Sequence, residues 1–335
     1  MVIAVDTPQV RPLDASLNLQ RKAALAGGGA FDHAGQVRVE PMSSFDMSRT
    51  IFGGMKGRLA RMVMKDKLAK ETFWSDGAIE EIEAAYAASQ AEKPVPSLDQ
   101  ALVDFMMEEC DFSMEHADGT FLQHLVFCHD YSAKYFSNYS PNVALLHSIL
   151  GTATNTFAME ARKLPRLQEL LTDFEWAHVQ AFPSVLRLFY DGALLPELEA
   201  NMSQLDRLKA IRFHRVIDDA PLQLSAKDLW VNFNFHLMHF VDFMPPANWG
   251  THRTDPLMQQ FKALSHFLDS AGLRWAQVQV SFPKGGKDML GEAPTAAGRI
   301  SRAIPLPIKR RLAQKTIQKY SEDVGHSLLY ELDWR

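Results

Sequence analysis

Eight of the twelve histidines of the chain fall between positions 116 and 239: His116, His124, His129, His147, His178, His214, His236 and His239. Imidazole is neutral near pH 7 and keeps one nitrogen lone pair free, which makes it the commonest side chain for binding a transition metal. A packed or hydrogen-bonded histidine is the bland alternative at any one of these positions. Helical geometry sorts some of them. On a helix running from 121 to about 136, His124 shares a face with Phe127, Cys128 and Tyr131, whereas His129 lies roughly 140° away at about 100° per residue. His124 and His129 therefore cannot point into one site. In "VNFNFHLMHFVDF" Asn232, His236, His239 and Asp242 fall within an arc of roughly 120°, and the remaining positions are mostly Leu, Val, Phe and Met. Such a polar stripe needs partners, water, a metal or a ligand, because each unpaired buried group costs about 1–3 kcal/mol.

The elements that must position these residues are helical. Residues 1–45 mix Pro, Gly and Ala without a period and read as an extended or disordered arm. From Ser48, Ile51, Met55, Leu59, Met62 and Val63 recur at helical spacing among Lys56, Arg58, Arg61, Lys65, Lys67 and Lys70, so 46–95 reads as N-terminal basic amphipathic helices. Ser97 with Gln100, and Thr120 with Gln123, are capping-box pairs that open helices reaching about Cys110 and about Phe136. Ser140-Pro141 reads as a cap followed by proline at the first helical position, with Gly151 as the stop, which puts "LLHSILG" in the last two turns of a short helix. Helical patterns continue over 165–190, 196–214, 225–243 (opened by Ser225 and Asp228) and 255–271. "WAQVQVSF" (275–282) alternates like a strand. Residues 96–283 form the helical core, and 284–335 a Gly/Ala/Pro-rich loop followed by a basic helix. The expected fold is mainly α.

The segment "HADGTFLQHLVFCHDYSAKYFSNYSPNVALLHSILGT" (116–152) resembles the HD superfamily of helical metal-dependent enzymes. His124 falls on the family's first ligand position and His147 on the histidine of its "LLHD" motif. The family's last ligand, an aspartate on a later helix, corresponds to Asp242. The likeness is closer to an uncharacterised bacterial HD-like subgroup that reads His-Ser in place of His-Asp, and His116, Thr120, Phe121, Leu122, Leu125, Ile149, Gly151 and Thr152 also follow that pattern. It is strong over about 40 residues. Ser148 departs from the wider superfamily. A neutral hydroxyl cannot bridge two cations as an aspartate does, so the resemblance implies a single-metal site. His116, Ser148, Asn232, His236 and His239 are possible further ligands or pocket groups. His178 and His214 correspond, by order alone, to extra histidines of the branch that includes myo-inositol oxygenase.

The implied function is that of an HD-like enzyme holding a divalent transition metal, iron or zinc, and acting on a small molecule as a hydrolase or an iron-dependent oxygenase. The alternative is an inactive HD-like ligand- or partner-binding protein. A net charge of −5 argues against nucleic acid as a partner. The basic stretches 56–70 and 309–319 leave an anionic membrane surface as a lesser possibility. Only Cys110 and Cys128 occur, and no segment of about 18 apolar residues or secretory leader is evident, so a reducing cytoplasm is expected. Oligomeric state is not encoded in any motif.

Overall fold

Two of the long helices, those of residues 173–191 and 226–243, begin where their sequence supplies a cap. The computed structural model describes residues 19–27, 58, 61, 76–110, 115–116, 119–243, 256–278, 300 and 303–335. In chain order the elements are α1 (Leu19–Gly27), α2 (Asp76–Glu92), α3 (Gln100–Glu109), β1 (Glu115–His116), β2 (Gly119–Thr120), α4 (Phe121–Tyr135), α5 (Asn142–Leu146), α6 (Leu164–Glu169), α7 (Asp173–Asp191), α8 (Leu194–Ala200), β3 (Leu208–His214), β4 (Pro221–Ser225), α9 (Ala226–Phe243), α10 (Pro256–Ser270), α11 (Leu306–Asp323) and β5 (Glu331–Trp334). The fold is mainly α.

Helix α7 opens on a complete capping box. Thr172 Oγ1 accepts from the Glu175 N–H at 3.3 Å, and Glu175 accepts from the Thr172 N–H at 2.8 Å. It stops at Gly192, which takes the left-handed conformation (φ 84°) and donates to the Leu188 carbonyl. Helix α9 starts where Ser225 Oγ accepts from the Asp228 N–H, as its sequence leads one to expect. At α3 the cap is Asp99, which accepts from the Ala101 N–H at 2.9 Å, and not Ser97; Gln100 turns instead to Asp104. Helix α5 is shorter than its sequence suggests. It closes at Leu146, and 147–150 continue as tighter turns in which Ile149 donates to Leu146 and Gly151 to Ser148.

Two stretches correct the sequence reading. Residues 196–214 are not one helix: α8 ends at Ala200, a 3₁₀ segment covers Met202–Arg207, and β3 follows as the centre of a three-stranded antiparallel sheet ordered β4-β3-β5. Leu208, Ala210, Ile211 and Phe213 turn inward while Lys209 and Arg212 stay out. One edge of this sheet comes from β5 at the opposite end of the chain, and no local period reveals such a partner. "WAQVQVSF" does not form a strand over its described part. Trp275 and Ala276 instead donate their N–H groups to Asn234 Oδ1, and Gln277 donates to the Tyr135 carbonyl. Residues 279–282 lie outside the described residues.

The termini also differ from expectation. Within the supposed arm, Leu19–Gly27 is helical and packs on α2 and α4, with Ala23, Ala24 and Leu25 buried. Tyr135 Oη donates to the Leu25 carbonyl at 2.5 Å. Most of the basic stretch 48–70 lies outside the described residues, of which Arg58 and Arg61 are helical and exposed. Helix α2 is acidic and not basic. The carboxyl-terminal segment adds a strand to the central sheet as well as the expected helix.

The buried apolar residues form two clusters. The larger gathers Phe127, Tyr131, Phe182, Phe233, Phe240 and Phe267. The smaller holds Leu102, Phe105, Phe121, Leu125, Leu145 and Ile149. Helices α4 and α5 contribute to both clusters.

Candidate metal centre

His124 and His147, on the separate elements α4 and the turn after α5, bring their Nε2 atoms to 3.2 Å of each other. Both residues are buried. The other ring nitrogen of each is already engaged. His147 Nδ1 lies 2.7 Å from the Ala144 carbonyl, an acceptor only, so Nδ1 carries the proton and Nε2 the lone pair. Burial pushes the basicity of His147 down to about 4, the Ala144 bond and Asp242 opposing, and the ring is neutral at pH 7. His124 Nδ1 lies 2.6 Å from Asp242 Oδ2, a hydrogen bond that points its Nε2 at His147. Two lone pairs facing at this distance repel unless a cation or a proton lies between them. Two nitrogens bound at about 2.1 Å to one tetrahedral ion stand roughly 3.4 Å apart, close to the observed separation.

A third donor comes from the same face of α4. Cys128 Sγ lies 3.9 Å from His124 Nδ1 and 4.0 Å from Nε2, and the donor atoms of His124, Cys128 and His147 all lie within 4.8 Å of one another. Burial, followed by the nearby Asp242 carboxylate, pushes the Cys128 thiol well above its ordinary range. A bound cation inverts that balance, because a coordinating thiol loses its proton. The His239 ring stands on another side, its centroid 4.5 Å from that of His147 and 5.3 Å from that of His124. Soft sulfur with imidazole nitrogen suits zinc or iron better than magnesium or calcium.

Asp242 is placed differently from a ligand aspartate. It faces the Nδ1 side of His124, away from the paired Nε2 atoms, and Arg21 of α1 holds both its oxygens: Nε to Oδ1 at 2.9 Å and Nη2 to Oδ2 at 3.2 Å. Carboxylate, imidazole and the donor nitrogen beyond it stand in line, the arrangement by which outer groups orient metal-bound histidines.

The remaining residues divide. His236 lies beside the centre, stacked on Phe182 with centroids 3.8 Å apart, and its basicity is pushed well down by burial and then by His147. His178 and Asn232 meet one another instead, Asn232 Nδ2 donating to the His178 carbonyl at 3.3 Å. Asp228 lies 3.7 Å from the His178 ring. This group sits about two turns up α9 from His239, roughly 10 Å away. His214 ends β3, where its carbonyl accepts from His326 Nε2. Ser148 is buried next to His147. His116 pairs across from Gly119 in the β1-β2 ladder, and its side chain lies outside the described residues.

Set beside known proteins, the chain matches no family model, no curated protein and no solved structure.

Two participants escaped the sequence reading. Cys128 could have been found, since it follows His124 by one helical turn. Arg21 could not: 221 positions separate it from Asp242, and no local pattern pairs the two.

On the far side of α4, His129 Nδ1 and Asp130 Oδ1 form a buried pair at 2.8 Å. Burial raises the Asp130 carboxyl to about 6, against the opposing effects of His129 and Lys134. The protonated form is favoured by the fold, so its contribution is fully present below the unfolded value near 4 and is lost as pH rises through about 6. Asp130→Asn keeps an acceptor for His129 and cannot ionise. Its stability relative to the parent is expected to rise from pH 4 to pH 6 by about 3 kcal/mol and then level off. Urea unfolding of both proteins across that range reads the difference, and a flat difference contradicts the assignment.

Proposed function

We propose that the protein is an HD-like, single-metal enzyme acting on a small molecule, with His124, His147 and Cys128 as the metal ligands and His239 beside them. The observation that carries this reading is the pair of Nε2 atoms 3.2 Å apart, each with its other nitrogen engaged by an acceptor. Two histidines and one cysteine with no carboxylate bridge favour zinc, and hydrolysis is then the reaction class. A metal held there would supply Lewis acidity for hydrolysis. The chain's own residues do the rest: Asp242 orients His124, the Ala144 carbonyl orients His147, and the surrounding Phe121, Phe182 and Phe240 exclude bulk water. No helix among the described residues is long and apolar enough to cross a membrane.

A second reading, an HD-like binding protein without turnover, is favoured by one observation. None of His124, Cys128, His147, His239 and Asp242 is more than 7% exposed, which closes the centre to a substrate in this conformation.

Elemental analysis of protein purified without added metal tests the first reading. About one zinc per chain, lost in His147→Ala, is the expected result. Metal well below one per chain and unchanged by that substitution sinks it. Stoichiometric iron in place of zinc redirects the chemistry to oxidation, which oxygen consumption with candidate substrates then measures.

A further inference from the structure

Helix α1 has anchors other than Arg21. Ala23, Ala24 and Leu25 are buried under it, the Leu25 carbonyl accepts from Tyr135 Oη at 2.5 Å and from Ser89 Oγ at 3.4 Å, and Lys22 pairs with Glu83 at 2.8 Å. Arg21 nevertheless runs inward from this helix, only 4% exposed, to grip both oxygens of Asp242. One of those oxygens, Oδ2, also takes the His124 Nδ1 proton at 2.6 Å. A two-pronged guanidinium contact fixes the plane of the carboxylate, so that Oδ2 stays against His124 Nδ1 and does not swing toward the facing Nε2 atoms.

We infer that Arg21 is a positioning residue of the metal centre: by clamping Asp242 from the amino-terminal helix it keeps the proton of His124 on Nδ1 and its lone pair on Nε2, toward His147. The inference rests on the metal reading above and adds to it that α1, through one side chain, sets the metal affinity of a site built from α4, α5 and α9. The family-type aspartate at 242 then serves as an orienting group.

The test uses the full chain, stripped of metal, with Co²⁺ alone as the probe in competition with a chromophoric chelator. Arg21→Ala is expected to weaken Co²⁺ binding about 10–100-fold, the usual cost of losing an outer orienting partner. Arg21→Lys, which restores charge without the planar fork, recovers only part of it. In an Asp242→Asn background the Arg21→Ala effect disappears, since the two act in series. A tie that docks α1 through Asp242 loses its effect in that background as well, so the proton of His124 is the deciding readout. Nitrogen-15 chemical shifts of His124 in the metal-free protein provide a readout independent of the ion: a proton on Nδ1 in the parent, and a mixture of tautomers in Arg21→Ala. If the parent binds Co²⁺ and Arg21→Ala binds it equally well with unchanged His124 shifts, Arg21 is a structural tie and the inference is overturned. If the parent binds no Co²⁺, the metal reading itself fails and the inference falls with it. Should Arg21→Ala not fold, Arg21→Gln carries the same comparison.

Discussion

Zinc-loaded protein is expected to melt about 6 °C above the same protein stripped by a chelator. A ligand that binds only the folded state adds about 4 kcal/mol when its free concentration is a thousand times its dissociation constant. Spread over 335 residues at about 2.1 cal/mol/K each, that is roughly 6 °C. The His124→Ala variant should show no such difference, because it removes one of the paired Nε2 donors and the hydrogen bond that Asp242 accepts. Calorimetry with and without chelator reads both numbers. Equal melting temperatures for the two parent samples, at zinc well above any plausible site affinity, count against a metal on this centre.

The second large effect concerns Arg187 on α7, which is fully buried. Among the described residues its guanidinium meets neutral acceptors. Nη2 donates to the Thr152 carbonyl at 2.9 Å and to Asn155 Oδ1 at 2.6 Å, Nε donates to Thr152 at 3.3 Å, and Nη1 donates to Ser321 Oγ at 3.2 Å. Burial lowers its basicity to about 10, which leaves it charged at neutral pH. These bonds tie α7 to the turn after "LLHSILG" and to α11. Arg187→Met keeps the stem and removes every donor, so the acceptors of Thr152, Asn155 and Ser321 lose this partner. The expected cost is about 3 kcal/mol, the sum of orphaned acceptors less the relief of a buried charge. Arg187→Lys should also destabilise, since one ammonium cannot reach three acceptors on separate elements in the geometry of the fork. Denaturant midpoints for the three proteins decide it. A methionine variant as stable as the parent shows that the burial cost of the charge cancels its bonds.

Parts of this architecture are legible in the residues alone. Periodicity places Asn232, His236, His239 and Asp242 on one side of α9, and Ser225 with Asp228 marks where that helix begins. Thr120 ahead of Phe121 marks the start of α4. Other parts depend on chain segments that meet only after folding. The strand β3 exists because β4 and β5 pair with it, and β5 lies more than a hundred positions away. Asn234 holds Trp275 and Ala276 in a loop that alternates like a strand. Alternation records which side chains face inward, and it does not record whether a neighbouring backbone is there to accept the ladder.

The same division runs through the candidate site. The sequence by itself determined that histidines would share helix faces with apolar residues, that His124 and His129 would point apart, and that a serine and not an acid follows His147. These are properties of a single helix or a single position, set by a repeat of 3.6 residues and by side-chain chemistry. Only the tertiary structure decided that the two Nε2 atoms meet at 3.2 Å, that Cys128 joins them, and that Asp242 turns to His124 Nδ1 under the grip of Arg21. Which nitrogen of an imidazole is free depends on the acceptor packed against the other one. That acceptor arrives from a different element, brought by burial of apolar faces that carry no information about protons.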